Sequence, residues 1–129
     1  MIARLLLPAV MLMSAGAAAA VEPRILKELM VLTPQERMEQ RCDIEAMDRI
    51  RSEQKGFSPD KVIAYTFADP VIEGSRFKAK GAVFRSKGEW YRLKFSCETG
   101  PRRVSIKSFD YKIGSIVPRE EWQQYYLYD

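Results

Sequence analysis

An α+β fold, helices first and strands after, is what this chain predicts, and three observations predict it. Residues 24–54 space apolar side chains three to four apart. From Lys61 onward the pattern changes to alternation by two between turn residues. One cysteine falls in each half, Cys42 and Cys97. The expected architecture is a set of N-terminal helices on one face of a four- to five-stranded antiparallel sheet, then a short C-terminal helix. One disulfide ties helix to sheet.

Residues 1–20 have the form of a cleaved secretory signal peptide. Arg4 gives the positive start, Leu5 to Met13 the apolar segment, and Ala18-Ala19-Ala20 the small-residue pattern before a polar Val21-Glu22-Pro23-Arg24. The mature protein is then expected to begin near Val21, with residues 21–129 forming a single small domain. The apolar run is too short for a permanent membrane helix, and no Cys follows the cleavage site to carry a lipid. A periplasmic or secreted product without a transmembrane segment after processing is therefore expected. Removing 20 residues from 129 leaves 109, enough for one modest core.

Ile25, Leu26, Leu29 and Met30 fall on one face of a first short helix. Thr33-Pro34-Gln35-Glu36 then marks a fresh helix start. Thr33 suits the cap, Pro34 the first helical position, and Glu36 the position from which a carboxylate reaches back. Beyond it Met38, Cys42, Ala46, Met47 and Ile50 share a broad side, which turns Cys42 inward. Glu39, Arg41, Asp43, Glu45 and Asp48 are expected mainly on the solvated remainder. Gly56 and Ser58-Pro59-Asp60 end the helical region.

Strands are expected at Val62–Phe67, Val71–Lys80 and Ala82–Arg85, with Ala68-Asp69-Pro70 as a break and Ser86-Lys87-Gly88-Glu89 as a hairpin turn. Next, Tyr91, Leu93, Phe95 and Cys97 alternate with Trp90, Arg92, Lys94, Ser96 and Glu98, so Cys97 also points inward. Gly100-Pro101 turns the chain, Val104–Tyr111 gives another strand, and Pro118 to Trp122 a short final helix with acids in its first turn. An oxidising compartment lets Cys42 and Cys97 pair. Two free buried thiols, or pairing between molecules, are the alternatives.

The chain contains no histidine. That excludes Ser/His/Asp and Cys/His hydrolysis and His-based zinc or copper sites, and no cofactor or metal is expected. Asp43 and Glu45, two apart on a helix, do not share a face, so a paired-carboxylate glycosidase site finds no support. Charge is uneven. Residues 21–60 carry seven Lys/Arg and nine Asp/Glu, a net of −2; residues 61–129 carry thirteen and eight, a net of +5. On the clearest strand the outward side is Trp90, Arg92 and Lys94, with Lys78, Lys80 and Arg85 on neighbouring segments. A basic, aromatic-bearing sheet face attracts anions, and these six residues are its candidate binding set. The plainer alternative is a solvated face that Lys and Arg protect against edge pairing. The aromatic C-terminus, Trp122 to Tyr128, is expected to pack back over a sheet edge or the open end of the small core; the alternative is an exposed stacking surface for sugar rings or a partner protein.

Several runs resemble the domain-of-unknown-function 930 (DUF930) family. They are Leu32 to Met47, Tyr65 to Pro70, Phe84 to Leu93, Cys97-Glu98-Thr99, Ser108 to Tyr111, Ile113-Gly114 and Val117 to Trp122. The resemblance covers nearly the whole mature chain. It implies a small exported alphaproteobacterial protein and strengthens the case for a Cys42–Cys97 disulfide. It also marks Glu39-Gln40-Arg41-Cys42 as a structural junction, and it carries no catalytic residue across.

Two function classes follow, with a third behind them. The leading one is a non-catalytic module of the bacterial envelope that binds an anionic glycan, a lipid headgroup or an envelope protein; nucleic acid is not expected as a partner. The second is a small carboxylate-dependent enzyme, a lyase or glycan-cleaving activity, whose sign would be two carboxylates converging in a cleft with raised pKa values. The third is a secreted inhibitor, for instance of lysozyme, which the basic second half argues against.

Overall fold

The computed structural model describes residues 21–129; the expected signal segment, residues 1–20, lies outside the described residues. Local chemistry sets the helices. Helix α1 (Pro23–Met30) and helix α2 (Pro34–Glu53) both open on a proline, whose missing N–H is no loss in a first turn. Thr33 caps α2 as its sequence predicts. Its hydroxyl accepts from the Glu36 amide at 3.3 Å, and the Glu36 carboxylate accepts from the Thr33 amide at 3.2 Å. Arg37 fixes the corner between the helices, its guanidinium donating to the Leu29, Leu32 and Arg102 carbonyls at 3.0, 2.9 and 3.1 Å. Helix α1 packs on α2, and α2 alone of the two meets the sheet.

Strands β1 (Pro59–Ile63), β2 (Val71–Glu73), β3 (Arg76–Ser86), β4 (Glu89–Thr99) and β5 (Ile106–Ile116) form one antiparallel sheet in the order β1-β3-β4-β5, with β2 also paired to β3. Strand β1 takes residues 83–86 of β3 and β2 takes residues 76–78, so the two share its outer edge. The β3–β4 turn has positive φ at both Lys87 and Gly88, as a two-residue hairpin requires.

Several boundaries differ from the sequence expectation; the strand expected at Val104–Tyr111 runs instead from Ile106 to Ile116. The strand expected at Val62–Phe67 ends at Ile63, because the chain then lifts away and crosses β3 at Gly81. There the Phe67 amide donates to the Gly81 carbonyl at 2.8 Å. A Cβ on Gly81 would collide with the Ala68 amide. The β3–β4 register also shifts between Ala79 and Ala82. Residues 71–85, read as two strands, are instead the short β2, a Gly74-Ser75 turn, and a continuous β3.

The inner face of the sheet holds the main core. Met38, Cys42, Ala46 and Ile50 of α2 press on Phe77, Phe84, Leu93 and Phe95. Phe77, Phe95 and Phe109 stack across three strands with ring centroids 5.8 and 5.6 Å apart. Cys42 and Cys97 form the disulfide from helix to sheet, with Cα atoms 6.0 Å apart. The outer face carries a second, smaller core. Val83, Trp90 and Val117 lie under Trp122 and Leu127 of the C-terminal segment, which comprises α3 (Arg119–Trp122) and a following turn of 3₁₀ helix. The Trp90 and Trp122 indoles donate to the Tyr128 and Val117 carbonyls at 2.8 and 3.0 Å. Trp122 and Leu127 thus pack back, as expected of the tail, while Tyr126 and Tyr128 stay exposed. Among the described residues no helix is long and apolar enough to cross a membrane.

Candidate functional site

The uncovered part of the outer sheet face carries a shallow basic groove. Alternation along β4 turns Arg92 and Lys94 outward, on the side opposite Leu93 and Phe95. The β4–β5 register places Lys94 directly across from Lys112. Lys80 reaches the same place from β3 beside the register shift. Together Lys80, Arg92, Lys94 and Lys112 line a hollow of about 270 Å³, floored by Gly81 and Gly114 and walled on one side by Phe67. Small residues open it: a Cβ on Gly114 would press on Arg92 Cβ at 3.0 Å. The Arg92 guanidinium lies 3.9 Å from the centroid of the Phe67 ring, so packing holds its plane. No carboxylate lines the hollow. Among the described residues none of the four cations joins an ion pair.

Of the six residues proposed from sequence, the structure brings Lys80, Arg92 and Lys94 together. Lys78 shares the face but pairs with Ser96, outside the hollow. Two of the six need correction. Trp90 is fully buried beneath the tail and offers no ring to a ligand. Arg85 is already engaged, gripping the Asp60 carboxylate at 2.9 and 3.2 Å while its guanidinium sits 5.5 Å from the Trp90 and Tyr128 rings. Both errors have one cause: strand parity names the face but not what folds over it. Lys112 and Phe67 were missed. The alternation of Phe109, Tyr111 and Ile113 marks Lys112 as outward, but its place opposite Lys94 depends on register.

A larger cleft, about 940 Å³, opens at the β1 edge between α2, β1 and the C-terminal tail. Helix α2 contradicts the expectation of a solvated face at Arg41, Asp43 and Glu45. Arg41, Asp43 and Glu45 are buried. Arg41 donates to the Val104 carbonyl at 2.9 Å and to Glu45 at 3.1 Å, which accounts for both of those residues. Asp43 has no such account. It is 7 % exposed, and its Oδ1 is buried with no hydrogen-bond partner, as is the hydroxyl of Thr66 in the same cleft. Burial, and then the Glu39 charge one turn away, push the Asp43 carboxyl up to about 8. Burial, with Glu36 adding to it, raises Glu39 as well. Among the described residues no group of three His, Cys, Asp or Glu side chains is placed to hold a metal ion.

Comparison with known protein families finds a match over residues 29–127 to the model described as Domain of Unknown Function (DUF930). No curated protein and no solved structure matches the chain.

Proposed function

The chain belongs to the DUF930 family, and from that footing we propose that it is an exported, non-catalytic binding module that captures an anionic group of an envelope component in the groove of Lys80, Arg92, Lys94 and Lys112. The signal-like residues 1–20 and the disulfide support export. One observation carries the binding site. Lys94 and Lys112 are directly opposed like charges, an arrangement that costs stability unless an anion lies between them, and no carboxylate lines the hollow they share. A merely solvated face intersperses both signs. Here the arginine is also held over an aromatic ring with its N–H groups unpaired among the described residues, ready for a phosphate or carboxylate.

The sign set out for an enzyme is met in part, since Glu39 and Asp43 line a cleft and both are raised. They stand one turn apart on the same wall, however, and so do not flank a bond from two sides. Asp60, across the cleft, is committed to Arg85. The cleft is better suited to holding a ligand than to cleaving one.

The test is binding to vesicles containing phosphatidylglycerol and to alginate, as anionic probes. Affinity should fall steeply from low to physiological salt. Arg92→Glu with Lys94→Glu should abolish it. Lys112→Gln gives the sharper check: it should weaken binding yet raise the melting temperature slightly, because it removes a repulsion worth roughly 0.2–1 kcal/mol. If the double reversal leaves every anionic probe bound as before, the groove is ordinary solvated surface.

A further inference from the structure

We infer that the tyrosine-walled cleft between α2 and β1 is a second ligand site, one that takes an organic ammonium ion between Glu39 and Asp43. This does not depend on the basic groove, which lies on the outer sheet face and shares no lining residue with the cleft.

Two buried polar atoms without partners, Asp43 Oδ1 and the Thr66 hydroxyl, belong to residues that line the same cleft from different segments. Native proteins rarely leave such atoms unmet, so two together mark a place where a ligand supplies the missing bonds. The carboxylates around them then define the ligand's charge. Glu36 is used in the helix cap and Asp60 in the pair with Arg85. Glu39 and Asp43 remain, and among the described residues neither is hydrogen-bonded or ion-paired through its side chain. At a spacing of four on a helix their charges would repel, and this, after burial, is what keeps the proton on Asp43 up to about 8. An ammonium group between them releases that proton to solvent and replaces the repulsion with two attractions, and its N–H donors meet the lone pairs that the fold leaves unmet. A neutral sugar leaves the repulsion in place, and an anion adds to it.

The aromatic wall agrees. Tyr65, Tyr126 and Tyr128 are 60, 88 and 47 % exposed, a concentration of open rings that ordinary packing does not require. The chain itself supplies an example of the chemistry: the Lys61 ammonium lies 5.8 Å from the centroid of the Tyr128 ring, at this same cleft.

Titration of the mature protein with spermidine, followed by calorimetry, tests the site, with chitotriose and inorganic phosphate as neutral and anionic comparisons. Spermidine should saturate at one site and the comparisons should not. Asp43→Asn keeps the shape and should weaken spermidine about tenfold or more, as expected for losing a charge-assisted bond. Tyr126→Ala, at a highly exposed ring, should weaken it several-fold without moving the melting temperature, which separates a lost site from a lost fold. Arg92→Glu with Lys94→Glu should leave spermidine unaffected, so the two sites fail separately. A tri-lysine peptide distinguishes the source. Tighter peptide binding identifies an ammonium borne on a protein, and tighter spermidine binding a free polyamine; either order supports the site. Chitotriose binding as tight as spermidine, failure of spermidine to saturate, or indifference to Asp43→Asn would overturn it.

Discussion

Asp43 bears an electrostatic cost that nothing else in the described chain relieves. Its carboxyl is pushed up to about 8, first by burial and then by Glu39. In the unfolded chain it titrates in the ordinary range near 4. The folded state therefore holds the extra proton between about 4 and about 8. Its contribution to stability is fully present below the unfolded value and is lost as pH rises through about 8. Melting temperature should accordingly fall from pH 5 to pH 8.5, against the common trend set by paired carboxylates. Asp43→Asn removes this titration. The variant should melt near the native protein at pH 5 and above it at pH 8.5, with Glu39 retaining a smaller slope in the same direction. A native protein whose melting temperature does not fall between those pH values would show that the cleft is wetter than its geometry implies. Gly81 is a second residue with a single physical demand. Any side chain there meets the crossing backbone at Ala68, so Gly81→Ala should cost more than the small helix or strand preference of alanine would suggest.

At the scale of elements, the disulfide joins the inner stripe of α2 to the central strand β4, across 55 residues of chain. Closing a loop of that length stabilises by roughly 4 kcal/mol in the chain-entropy model, a large share of what a domain this size possesses. Replacing either Cys42 or Cys97 with Ser should lower the melting temperature by well over about 10 °C. Two free thiols in exported protein, measured under non-reducing conditions, would contradict the pairing. Signals that act within a few residues of themselves were legible before folding. They include the Thr33–Glu36 cap, the Lys87-Gly88 turn and the two-residue alternation from Trp90 to Glu98. What lay hidden depends on contacts distant in sequence. Ending β1 at Ile63 needs the crossing at Gly81, Lys112 needs the β4–β5 register, and the burial of Trp90 needs a tail whose Tyr128 arrives 38 residues later. Asp43 was illegible for the same reason, since its helix position resembles a solvated one until β1 and the tail close over it.

Taken whole, the molecule places a basic groove on one side of its sheet and an acidic, tyrosine-walled cleft at the sheet edge, and a short aromatic chain of contact runs between them. Tyr125, in the cleft wall, meets Phe67 edge-on with centroids 4.5 Å apart, and Phe67 carries the Arg92 guanidinium on its face. Phe67 thus braces the groove's arginine from the loop that Gly81 allows to cross. Phe67→Leu separates this role from bulk packing. Leucine supplies comparable apolar contact, so stability should change by less than about 1.5 kcal/mol, as volume-conserving core changes usually do. What is lost is the flat face that orients Arg92, an interaction worth about 0.5–2 kcal/mol depending on how dry it is. Affinity for phosphatidylglycerol vesicles should therefore fall several-fold although no charge has been removed, and circular dichroism should report the native fold. Adding Arg92→Lys to Phe67→Leu should then cost little more, because the planar fork no longer has a surface to lie on. If Phe67→Leu leaves vesicle binding intact, the guanidinium is positioned by the strand alone, and the groove is set by β4 and β5 without help from the crossing loop.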